Sequence, residues 1–136
     1  QPGELKATAY KDGSEVSTRV LKTSGEVAAI RLVADRPEIR ADRNDLAFIT
    51  VEAVDENGQL VTDSTVEVKL TLTGNGELAA TGNACPNDMA SVNKPVIKTY
   101  NGRAQAIIRP FAKAGNISLK AESPGLTGST LEIITK

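Results

Sequence analysis

Residues 49–78 read ITVEAVDENGQLVTDSTVEVKLTLTGNGEL. Ile49, Val51 and Ala53 share one parity. Val66, Val68, Leu70 and Leu72 share another, with Glu67, Lys69, Thr71 and Thr73 between them. A period of two places such residues on one face of a β-strand and leaves the other face wet. Asp55-Glu56-Asn57-Gly58 separates the two runs and reads as a hairpin turn, because Asn and Gly accept positive φ. Gly74-Asn75-Gly76 closes the second run, and Leu78 to Ala80 reads as an extension of that strand beyond the turn.

The same alternation runs outward in both directions. Upstream, Ile30, Leu32 and Ala34 alternate with Arg31, Val33 and Asp35. Pro37 then marks a bend or a sheet edge. Phe48 to Val54 is one strand. Downstream, 96–100 and 103–111 flank Asn101-Gly102, and further runs follow at Ile117, Leu119, Ala121 and at Leu131 to Ile134. At the front, Leu5, Ala7 and Ala9 share a face. Asp12-Gly13 turns the chain, and Val16, Thr18 and Val20 continue, which is a second hairpin signal. Thr23-Ser24-Gly25 breaks the pattern as a linker. No helical period is sustained. The expected fold is all-β: an immunoglobulin-like antiparallel β-sandwich over 28–136 with an extra N-terminal β-hairpin over 1–25, a small barrel being the second architecture.

A two-stranded hairpin is marginal alone in water. Its apolar face either packs on the sandwich or belongs to a neighbouring domain. The second reading is adopted, and it predicts self-association of the chain through the uncovered face. Gln1 is not an initiator methionine, so the chain reads as a piece of a longer protein whose export signal would lie upstream.

Composition limits the chemistry. The 136 residues are 40% hydrophobic, enough for one domain with a real core. Lys plus Arg is 16 and Asp plus Glu is 17, which provides no field for a polyanion, so nucleic acid is not an expected partner. No apolar run is long enough to insert in a membrane as a helix. Histidine is absent, which removes the commonest general base and transition-metal ligand. Cys85, in Asn83-Ala84-Cys85-Pro86, stands without a base to make it a thiolate and reads as a passive loop thiol.

The acidic residues offer two candidate sites. Asp35, Asp42 and Asp45 lie close together, but Arg36, Arg40 and Arg43 are interleaved and no calcium-loop spacing is present. Turn-making in a solvated loop is the simpler reading. The 55–58 segment is likewise a turn before it is a metal loop. No catalytic, cofactor-binding or metal-ligating residue is assigned, and no cofactor is expected. Tyr10, Tyr100 and Phe111 could serve as sugar platforms, but with no Trp and few aromatics packing in the core or on a strand face is the better reading. Tyr100 and Phe111 are the candidate glycan contacts. The least patterned stretch, TGNACPNDMASVNK at 81–94, is long for a connection inside a sandwich.

One tract has a family resemblance. IRLVADRPEIRADRNDLAFITVEAVDENGQLV (30–61) resembles the carboxy-terminal immunoglobulin-like domain of bacterial glycoside hydrolase family 2 enzymes, notably β-galactosidases of Bacteroides-type bacteria. Ile30, Leu32, Ala34, Asp35, Arg36, Ile39, Ala41, Asp42, Asp45, Leu46, Phe48, Ile49, Val51, Val54, Asp55 and Gly58 carry it. Residues 101–109 and 114–126 fit as well, whereas 81–86 depart from the family pattern. Pro2 to Gly13 resembles the last hairpin of the preceding immunoglobulin-like domain in those enzymes. A similar tract occurs in invasin-type bacterial immunoglobulin repeats. The resemblance implies a non-catalytic accessory domain, because the family's catalytic glutamates belong to a barrel domain whose motifs have no counterpart here. Two carboxyls about 5 Å apart in a shaped cleft are what retaining hydrolysis requires. It further implies the catalytic and other immunoglobulin-like domains of the same chain as partners, and a periplasmic or cell-surface location. A carbohydrate-binding module and an adhesin-like structural repeat are the rival readings.

Overall fold

The computed structural model describes residues 3–90 and 92–136. Gln1 and Pro2 of the hairpin signal, and Ser91 of the 81–94 stretch, lie outside the described residues. All regular structure among them is β. The first two strands, β1 (Glu4–Lys11) and β2 (Ser14–Lys22), pair only with each other. The strands β3 (Ala29–Ala34), β5 (Ala47–Val54), β7 (Gly76–Gly82) and β9 (Arg103–Pro110) form a sheet in the order β3-β5-β9-β7. The opposing sheet runs β4-β11-β10-β6-β8, made of β4 (Glu38–Ile39), β6 (Glu67–Gly74), β8 (Val96–Lys98), β10 (Gly115–Glu122) and β11 (Ser129–Thr135). With β3 as strand A, these are the A-B-E-D and C-F-G sheets of the immunoglobulin sandwich. All strand pairings are antiparallel except β4 on β11.

The alternation read from sequence places the core. Ile49, Val51 and Ala53 of β5, Ala104, Ala106 and Ile108 of β9, and Ile30 and Leu32 of β3 point inward and are buried. From the other sheet come Val68 and Leu70 of β6, Ile117, Leu119 and Ala121 of β10, and Ile133 of β11. Alanines on one inner face complement branched side chains on the other, so an aliphatic core closes without tryptophan.

Three turn signals are real turns, yet none joins two strands of one sheet. Asp55 to Gly58 turns, with Gly58 at φ 75, but only Val54 and Leu60 pair across it. The chain then crosses to the opposite sheet, so the two runs of 49–78 face each other across the core rather than pairing as a hairpin. Gly74-Asn75-Gly76 is a corner: β6 stays in one sheet and β7 enters the other, so Leu78 to Ala80 does not extend β6. At Asn101-Gly102 (φ 50 and 74) only Tyr100 and Arg103 pair. Strand β8 and strand β9 again lie in different sheets. Pro37 makes a comparable change of sheet. It lies between β3 and the edge strand β4, and its carbonyl accepts the Ile134 amide at 3.0 Å.

The N-terminal hairpin forms as read, with Asp12 at φ 52 and Gly13 at φ 80. Its apolar groups occupy both faces rather than one. Leu5 pairs with Leu21 on the first face. On the second, the Thr8 and Thr18 hydroxyls meet at 3.1 Å, and the same parity carries Tyr10, Val16 and Val20. Leu5, Leu21 and Tyr10 are about two-thirds exposed (67%, 68% and 66%).

Candidate functional site: a cleft on the outer face of the four-stranded sheet

The outward positions of β5, β9 and β7 are not uniformly solvated. Their registers align them in rows across the sheet. Arg31 lies opposite Glu52 and Glu52 opposite Arg103. In the next row Val33 faces Thr50 and Thr50 faces Gln105. One row further, Phe48 faces Ile107 and Ile107 faces Ala80. Glu52 is only 7% exposed. Its carboxylate takes Arg31 Nε at 2.9 Å, Arg31 Nη2 at 2.6 Å and Arg103 Nε at 3.1 Å. Arg31 Nη1 is used on the Gly58 carbonyl at 2.9 Å. A carboxylate this buried is tolerable only because two guanidiniums satisfy it. Arg103 uses one nitrogen there and has no other partner among the described residues. A second ionic group lies near the far end of the sheet, where Glu77 takes Arg43 at 3.0 Å and Arg109 at 3.5 Å.

Between β9 and the loop that follows β7 lies a cleft of about 520 Å³. Ala80 and Ile107 supply apolar lining from the sheet, and Ala84 and Val92 come from the loop. Thr50, Tyr100, Arg103 and Gln105 contribute polar groups. The loop wall is tied down. The Thr81 amide donates to the Val92 carbonyl at 2.7 Å, and its hydroxyl donates to the Lys94 carbonyl at 2.7 Å. Asn83 donates to Asp88 and to the Lys98 carbonyl at 2.8 and 2.9 Å. It accepts the Cys85 amide at 2.9 Å. The Ala90 amide and the Asn83 side chain hold the Asp88 carboxyl below the usual carboxylate range. The described residues of 81–94 thus form a braced wall, and Cys85 is a half-buried thiol within it.

The candidates from sequence are placed as follows. Tyr100 lines the cleft. Phe111 follows the far end of β9, about 25 Å away along the strand at the usual rise, so the two aromatics do not form one platform. Tyr10 lies on the hairpin. Asp35, Asp42 and Asp45 are engaged in structural bonds. Asp35 accepts the Phe48 amide at 2.9 Å, and Asp42 accepts the amides of Asn44 and Asp45, each at 2.9 Å. Asp45 accepts the Arg40 amide at 2.8 Å and meets Arg36 at 2.9 Å. That amide and the two guanidiniums lower its pKa. Asp55 accepts three amides, from Gly25 at 2.8 Å and from Asn57 and Gln59 at 2.9 Å, which lower its pKa in turn. It is the brace of its turn and the clasp between the linker and the sandwich. Glu52, Thr50, Arg103 and Gln105 went unremarked in the sequence, where outward strand positions read simply as wet. Only the cross-strand register brings them together.

Residues 30–132 match the family model of the glycoside hydrolase family 2 C-terminal domain 5. The chain belongs to this family. It is 36% identical over 133 residues to beta-galactosidase BoGH2A of Bacteroides ovatus, covering 98% of this chain and 16% of that protein. It is 29% identical over 128 residues to a beta-glucuronidase of Formosa agariphila, covering 92% of this chain and 13% of that one. A solved glycosyl hydrolase family 2 member from Bacteroides cellulosilyticus superposes with a TM-score of 0.88 at 36% identity. The match covers 98% of this chain and 17% of that structure. The chain therefore spans about a sixth or less of these relatives' length. The chain is a glycoside hydrolase family 2 C-terminal domain, the domain type that the sequence resemblance implied.

Proposed function

We propose that this domain is non-catalytic and that it packs against, spaces or orients the catalytic body of a β-galactosidase-like family 2 enzyme. The observation that carries the reading is the family match over 30–132 combined with the small share of the relatives' length. The state of the carboxylates supports it. Asp35, Asp42, Asp45, Asp55 and Glu52 hold backbone amides or guanidiniums in the folded chain, which suits turns and ion pairs rather than proton transfer. The hairpin at 1–25 is read as the terminal hairpin of a preceding immunoglobulin-like domain. Its two apolar faces support that reading, because a strand pair apolar on both sides calls for cover on both sides. The partners are then the catalytic and other immunoglobulin-like domains of the same chain, in the periplasm or at the cell surface. The test is hydrolysis of a nitrophenyl β-galactoside by the 136-residue chain. The expected rate is the uncatalysed background. Turnover that survives further purification would overturn the proposal.

A further inference from the structure

We propose that the cleft beside Tyr100 is a carbohydrate-binding site, and that it favours a sugar bearing a carboxylate. Four side chains converge there with hydrogen-bonding capacity unspent among the described residues: the hydroxyls of Thr50 and Tyr100, the Gln105 amide, and both terminal nitrogens of Arg103. About 520 Å³ is the size of pocket that holds a small organic molecule, here one or two sugar rings. The ligand that suits this mixture has an apolar face and many hydroxyls. A pyranose has both. Its C–H face packs on an aromatic ring such as Tyr100, and Ala80 and Ile107 extend the apolar lining. Planar amide and guanidinium groups address paired oxygens on such a ring.

Charge sharpens the class. Arg31 and Arg103 share the single carboxylate of Glu52, so the row carries one uncompensated positive charge. Each nitrogen of Arg31 already donates to Glu52 or to the Gly58 carbonyl, whereas Arg103, which borders the cleft, spends only Nε and keeps both terminal nitrogens without a partner among the described residues. A guanidinium edge pairs bidentately with a carboxylate, more strongly than with neutral hydroxyls. A uronic acid residue therefore fits better than a neutral hexose. Tyr100 is retained here from the sequence reading. Phe111 is too far away to take part.

The site stands independently of the spacer role: a domain can orient a catalytic body with or without holding glycan. The test is titration of the 136-residue chain, followed by amide NMR, with oligogalacturonate and with galacto-oligosaccharide of the same length. Shifts are expected at Thr50, Ala80, Tyr100 and Gln105. Binding of the uronate is expected to be at least tenfold tighter and to weaken with salt. Arg103→Gln should bring the uronate down to the neutral sugar's affinity, and Gln105→Ala, at an exposed strand position, should weaken both sugars. Equal affinity for the two sugars would overturn the carboxylate preference. Shifts confined to other surfaces, or no binding by a variant-free folded chain, would overturn the site.

Discussion

Asp55 shows how much one turn residue can carry. Its carboxylate braces the 55–59 turn through Asn57 and Gln59 and fastens the linker through Gly25, thirty residues away in sequence. These amides favour the ionised form, so its folded pKa lies below the unfolded value. The sign follows. The stabilisation is complete above the unfolded carboxyl pKa of about 4, and it is lost as pH falls through the folded value. Denaturant melts at a series of pH values between 3 and 6 check this. The native chain should weaken as pH falls below about 4, and Asp55→Asn should be less stable at pH 6 with a shallower pH slope. Asp45, Asp88 and Glu122 are lowered as well, so the variant's slope is reduced rather than abolished. An unchanged slope would refute the role. The turn itself was legible in Asp-Glu-Asn-Gly. The Gly25 clasp was not, since no local pattern marks a bond across thirty residues.

At the scale of elements, the corners decide the architecture. Gly74 has φ 99, and a Cβ there would lie 2.2 Å from the Asn116 carbonyl oxygen of β10. A Cβ on Gly76 would meet Ile117 Cδ1 at 2.5 Å and the Arg109 carbonyl at 2.9 Å. The two glycines let the chain leave one sheet and enter the other while pressed against the strands it departs from. Gly74→Ala should cost at least about 2 kcal/mol, combining a strained φ with a backbone clash. Urea unfolding checks it, and a loss under about 0.5 kcal/mol would show that the corner relaxes easily. The sequence marked this corner as a turn and carried β6 through it. A glycine turn encodes a local change of direction. Which sheet receives the next strand depends on partners that are distant in the chain.

The whole molecule divides its apolar surface unequally. The sandwich closes over an aliphatic core, whereas the hairpin leaves Leu5, Leu21 and Tyr10 about two-thirds exposed. Residues 1–24 can therefore be removed without opening that core, while the Gly25 amide stays on Asp55. Their deletion should leave the melting temperature of the remainder within a few degrees, since about 1 kcal/mol moves a domain of this size by roughly 4 °C. It should also lower the tendency to self-associate, which sedimentation velocity reads. A drop of more than ten degrees would mean that the hairpin is part of the sandwich's stability.

The sequence by itself determined most of the strands, the buried faces of β3, β5, β6 and β10, and the turns at 12–13, 55–58, 74–76 and 101–102. These follow from a period of two and from the few residues that tolerate positive φ, both properties of the local chain. The tertiary structure alone decided which strands share a sheet, that Glu52 is held between Arg31 and Arg103, and that Tyr100, Arg103 and Gln105 border one cleft while Phe111 does not. Those facts depend on register between segments twenty to fifty residues apart, and register is set by how two faces close over one core, which no local pattern specifies.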